Sequence, residues 1–119
     1  MLMGAFAAFS LVAAMGLAIV RDVWRGRAVD PFYPVVHGAA ALFGSALVIL
    51  VALEGDHRLY VNIGLAVVII LLGVLMGLQS KRGKKVSRGI LAAHVSLALV
   101  CYGLLAFLTL NPHATIPGI

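Results

Sequence analysis

Charge along this chain is confined to three short clusters, Arg21 to Asp30, Glu54 to Arg58 and Lys81 to Arg88. The four stretches between and around them, Met1 to Val20, Pro31 to Leu53, Leu59 to Ser80 and Gly89 to Ile119, contain no Asp, Glu, Lys or Arg. Each is at least as long as the roughly 18–20 apolar residues that carry one helix across a bilayer. In hydrocarbon a backbone must satisfy its own hydrogen bonds, so uncharged segments of this length are read as spanning helices. The expected fold is all-α, a polytopic membrane protein with spans at about 2–20, 32–53, 59–79 and 89–110. These spans take up most of the 119 residues, and no water-soluble catalytic domain of the usual ~50 residues or more fits beside them. A soluble enzyme, a secreted disulfide scaffold and a nucleic-acid-binding module are excluded on the same ground.

The net charge of +5 has an origin in topology. Eight of the nine Lys and Arg residues lie in the first and third clusters, and short basic loops stay on the cytoplasmic side during insertion. The first loop (Arg21, Arg25, Arg27) and the third (Lys81, Arg82, Lys84, Lys85, Arg88) are therefore expected inside. The loop with Glu54, Asp56 and Arg58 is expected outside, together with both termini. This describes a protein of the bacterial inner membrane with periplasmic termini. The first twenty residues lack the leading positive charge of a secretory signal. Trp24, Tyr33 and Tyr60 fall near span ends, where amphipathic rings prefer the headgroup zone. The lone Cys101 lies within the fourth span and reads as a small buried hydrophobe.

An offset of 57 residues relates the two halves of the sequence. Arg25-Gly26 falls on Arg82-Gly83, Val29 on Val86, Gly16 on Gly73, His37 on His94, and Ala41-Leu42 on Ala98-Leu99. In each half an Arg-Gly-basic turn precedes, by twelve residues, a histidine in the next apolar span. The pattern predicts a four-helix bundle built from a duplicated helical hairpin, about 1–57 and 58–114, with the copies related by a pseudo-twofold axis along the membrane normal. Depth counting agrees without invoking the repeat. His37 and His94 lie five and six residues into their spans, or roughly 8–9 Å below the basic surface at about 1.5 Å per residue. Gly16 and Gly73 occupy the same layer.

An ionisable group inside a span is expensive and is by default a candidate functional group. Two imidazoles opposed across a bundle at equal depth suit the two axial positions of one low-spin haem b. Gly16 and Gly73 are expected to leave a slot for the macrocycle, with small residues on the His37 face, Ala40, Ala41, Gly44 and Ser45, serving the same need. Arg27, Lys84, Lys85 and Arg88 are placed to pair with the propionates. The competing reading makes the histidines structural, bonding across helices. Zinc is disfavoured because it needs three or four protein ligands. His57 and His113 lie at the outer surface and need no special cause. Gly73 and Gly77 form a GxxxG pair, with Gly64 as a further small site on the same span, suited to close helix packing. Asn62 reads as a helix-helix hydrogen bond.

With four spans, histidines in the second and fourth, and basic loops on their side, residues 1–110 resemble in architecture the four-helix membrane b-type cytochromes, including the cytochrome b561-like group and the haem-anchor subunits of respiratory enzymes. Only one embedded histidine pair is present, where the two-haem members have two. The resemblance implies an electron-transfer subunit, not a stand-alone enzyme, working with other membrane or redox subunits and with a quinol or a protein donor. Two further classes remain: a cofactor-free accessory subunit of a larger membrane complex, and a small proton-coupled transporter. The last lacks an acidic residue well inside any span.

The orientation is open to direct measurement. Single cysteines replacing Asp56 or Gly83, in a Cys101→Ser background, should differ towards a membrane-impermeant thiol reagent in intact cells. The Asp56 position should label and the Gly83 position should not; the reverse pattern would invert the topology.

Overall fold

A computed structural model describes residues 1–118, and among these the chain forms four helices and no strand. They are α1 (Leu2–Trp24), α2 (Phe32–Leu53), α3 (Leu59–Lys81) and α4 (Arg88–Leu110). All four are long and apolar enough to cross a membrane. A helix of 23 residues is about 34 Å long, against a hydrocarbon thickness of about 30 Å. The protein is an integral membrane protein. Helices α1 and α3 run a few residues past the expected spans, because Arg21 to Trp24 and the Ser80-Lys81 pair continue the helix where the chain leaves the apolar zone.

Each helix packs against two neighbours. Helix α1 contacts α2 and α4, and α3 contacts the same two, so α1 faces α3 and α2 faces α4 across the diagonals of a square. Both loops at the basic end obey the same local rule. Helix α1 ends at Arg25 and α3 at Arg82, each followed by a glycine with positive φ, 65° at Gly26 and 70° at Gly83. The next amide reaches back to close the turn, Arg27 N–H to Asp22 O at 2.9 Å and Lys84 N–H to Gln79 O at 3.0 Å. This is the left-handed helix stop that glycine alone adopts without Cβ strain. Asp30 and Ser87, again equivalent, then accept the first free amides of α2 and α4, from Phe32 and Ile90. Thus the helix stop and the turn recur at the 57-residue offset, while the helix starts differ, Asp30 bonding the amide two residues on and Ser87 the amide three residues on.

Packing differs between the two ends. Ala5, Val48, Ala52, Leu59, Leu105 and Leu108 form a buried cluster in the half that carries the 54–58 loop. In the basic half, Leu91 is the one buried side chain among the described residues. Between the ends, Asn62 Nδ2 donates to Cys101 O at 3.0 Å, the α3–α4 bond anticipated for it. Large apolar side chains such as Leu11, Leu71, Leu99 and Phe107 are exposed around the outside, as expected where lipid is the solvent.

An ionic clasp closes the end opposite the basic loops. Arg58 donates to both carboxylate oxygens of Asp56, at 2.8 and 2.7 Å, and also to the carbonyls of Ala114 at 2.9 Å and Asn111 at 3.4 Å. It ties the α2–α3 loop to the segment after α4. The guanidinium's hydrogen bonds hold the Asp56 carboxyl below the usual carboxylate range. A depressed carboxylate stabilises the fold above its unfolded pKa, and that contribution is lost as pH falls through the folded value. Arg58→Ala should therefore expose residues 111–118 to protease at neutral pH. In the parent, the same cleavage should rise only below the ordinary carboxylate range, and by less, because the two carbonyl bonds do not titrate.

Candidate functional site

Helices α2 and α4 carry the histidines, and these helices face each other across a diagonal. The rings of His37 and His94 accordingly meet near the bundle axis, with centroids 6.4 Å apart and planes tilted by 53°. Each is held by the preceding helix of its own hairpin. Nδ1 of His37 lies 2.9 Å from Val12 O, and Nδ1 of His94 lies 2.9 Å from Ile69 O. Val12 and Ile69 are themselves 57 residues apart, so the two imidazoles are seated identically.

The partner atom fixes the chemistry of each ring. A carbonyl oxygen can only accept, so in the neutral ring Nδ1 carries the proton and Nε2 presents a free lone pair. Among the described residues neither Nε2 is engaged in a hydrogen bond. An imidazole whose Nδ1–H is bonded to a carbonyl is the usual arrangement for a metal ligand, since that bond orients the ring and raises its basicity. The separation is compatible with that role. If both Nε2 atoms faced one metal, bonds of about 2.0–2.1 Å, with roughly 1.2 Å from ring nitrogen to ring centre, would put two opposed rings about 6–6.5 Å apart. The observed 6.4 Å falls in that range.

Gly16 and Gly73 have a more specific role than the open slot expected of them. A Cβ at Gly16 would lie 3.1 Å from His37 Cε1, and one at Gly73 would lie 3.2 Å from His94 Cε1. Each glycine receives the edge of a histidine ring. Depth alone does not say which side chain lies against a glycine. Gly44 is likewise occupied: its missing Cβ faces the ring of Phe9 at 3.0 Å. Arg88, expected near propionates, lies 5.5 Å over the ring of Trp24, a cation–π contact joining the start of α4 to the end of α1. Gly64 and Gly77 meet nothing within 4 Å, so they do not serve close packing within the chain.

Among the described residues no three His, Cys, Asp or Glu side chains converge, so the chain does not itself assemble a tetrahedral metal site. Two opposed imidazoles suit a metal whose other ligands come with it. His57 stacks on Tyr60 at 5.5 Å, at the opposite end of the bundle from this pair.

Comparison with protein-family models, with curated proteins and with solved structures finds no match to this chain.

The ring seats generate a prediction of opposite signs. In an open helical position Gly→Ala stabilises by up to about 1 kcal/mol, whereas added volume at a filled site costs about 1–3 kcal/mol. Gly64→Ala should hold or raise the thermal midpoint in detergent. Gly16→Ala and Gly73→Ala should each lower it, by similar amounts because the seats are equivalent.

Proposed function

We propose that the protein is a membrane-embedded electron-transfer subunit of b-type cytochrome character, with His37 and His94 as the axial ligands of a single haem b near the cytoplasmic face. The observation that carries this reading is the pair of Nδ1-anchored imidazoles, each with a free Nε2, whose ring centroids lie 6.4 Å apart. A haem provides four equatorial nitrogens and leaves two axial positions, which is the number of ligands this layer offers.

When bound, the haem supplies one-electron transfer. The chain's own residues hold and tune it. Val12 O and Ile69 O hold the rings in one tautomer and increase electron donation from each Nε2. The apolar spans exclude water and keep the dielectric low. Arg27, Lys84 and Lys85 at the basic end provide cations for the propionates, with Arg88 available on release from Trp24. By the positive-inside rule the basic end faces the cytoplasm and the termini face the periplasm of a bacterial inner membrane. Electrons would be exchanged with a quinol or with a neighbouring redox or membrane subunit.

A second reading is favoured by the same hydrogen bonds. Interhelical side-chain bonds within membranes average about 0.6 kcal/mol, and two of them would brace the hairpins of a cofactor-free accessory subunit.

A visible spectrum separates the two. Protein purified from haem-replete cells and reduced with dithionite should show the sharp bands of six-coordinate low-spin haem. His37→Ala or His94→Ala should abolish or convert these bands, while His57→Ala and His113→Ala should leave them in place. Colourless protein would favour the accessory subunit.

A further inference from the structure

The pseudo-twofold makes each interhelical groove comparable with its counterpart, and one pair is unequal. At the α1–α4 contact, the space is filled by Tyr102. Its ring stacks on Phe6 with centroids 5.4 Å apart and planes at 16°, and its hydroxyl lies 2.7 Å from Ser10 Oγ, which in turn donates to Phe6 O at 2.8 Å. Subtracting or adding 57 places Ser45 where Tyr102 would be, Ile63 for Phe6 and Val67 for Ser10. The α2–α3 contact thus keeps the backbone arrangement and lacks the phenol ring.

A groove is found in that place. It measures about 250 Å³, and Ser45, Ile63 and Val67 all line it, together with Asn62 and Cys101. An apolar cavity of about 150 Å³ is enough to hold benzene. Leu42, Ile49 and Val67 on its rim are well exposed, so it opens sideways towards the lipid. Its polar groups are incompletely satisfied. Ser45 Oγ and Asn62 Oδ1 are both buried without a hydrogen-bond partner, and Asn62 is only 3% exposed. Such atoms normally find a partner, and each one left alone is costly. A hydroxyl both donates and accepts; it matches an amide oxygen, which only accepts, beside a serine hydroxyl, which does either.

We propose that the α2–α3 groove binds the phenol ring of a membrane-soluble molecule, in the place corresponding to the Tyr102 side chain of the other interface. The ring lies among Ile63, Ala66 and Val67, and its hydroxyl is shared between Asn62 Oδ1 and Ser45 Oγ. Nothing in this assignment depends on a haem.

The test uses the full chain in detergent micelles, with 4-propylphenol as the probe and the Asn62 side-chain amide followed by nuclear magnetic resonance. The phenol should shift that signal saturably, and its methyl ether, 4-propylanisole, should bind about fivefold or more weakly for want of the donated bond. Ser45→Ala, which keeps the space, should also weaken the phenol. Ser45→Tyr, which supplies the missing ring from the chain, should abolish its binding. Equal affinity for the phenol and its ether would overturn the proposal, marking the groove as a seat for any apolar chain. So would the absence of saturable binding, or undiminished binding to Ser45→Tyr.

Discussion

A histidine within an apolar span has two ring nitrogens to satisfy and no water at hand. In this protein a backbone carbonyl of the preceding helix takes one of them, through His37 Nδ1 to Val12 O and His94 Nδ1 to Ile69 O. Several features follow from that contact. It commits the neutral ring to a single tautomer and leaves Nε2 with a free lone pair. It also brings the ring edge so close to the preceding helix that the facing residues are glycines, Gly16 and Gly73. Because α2 and α4 are diagonal neighbours, two rings oriented this way meet each other near the bundle axis.

The two hairpins repeat this arrangement at an offset of 57 residues. The Arg-Gly-basic turns reproduce one helix stop twice, and the equivalent Asp30 and Ser87 each bond an early amide of the next helix, two and three residues on. Where the two hairpins differ in sequence, the structure is asymmetric. Tyr102 fills one interface and Ser45 leaves the other open. Asn62 bonds α3 to α4, whereas its counterpart Ala5 is part of the buried apolar cluster. The half carrying the 54–58 loop is held by that cluster and by the Arg58 clasp, and the basic half is held mainly by its turns and ring seats.

Much of this was legible in the sequence, for identifiable reasons. Confinement of charge marks the spans because a charged side chain in hydrocarbon is so unfavourable, and the helix bounds follow it closely at α2, Phe32–Leu53. The shared depth of His37 and His94 needs only the rise per residue. The role of the glycines was harder to read, since span depth does not reveal rotation about the helix axis. The layer of Gly16 could therefore be read without the His37 ring edge that lies against it. The Arg88 contact was hidden for a similar reason: a long side chain can reach several partners, and the face of Trp24 is one of them. The Val12 and Ile69 carbonyls leave no mark in side-chain pattern at all, because every residue has one.

The central claim is that the two imidazoles bind one iron through Nε2 on opposite sides. Electron–nuclear double resonance on the oxidised protein, prepared with ¹⁵N-labelled histidine, tests it most directly. The account predicts a low-spin ferric centre coupled to two closely similar axial imidazole nitrogens, as the matched ring seats require. A ferric centre with one histidine nitrogen or none, or protein that contains no iron, would contradict it.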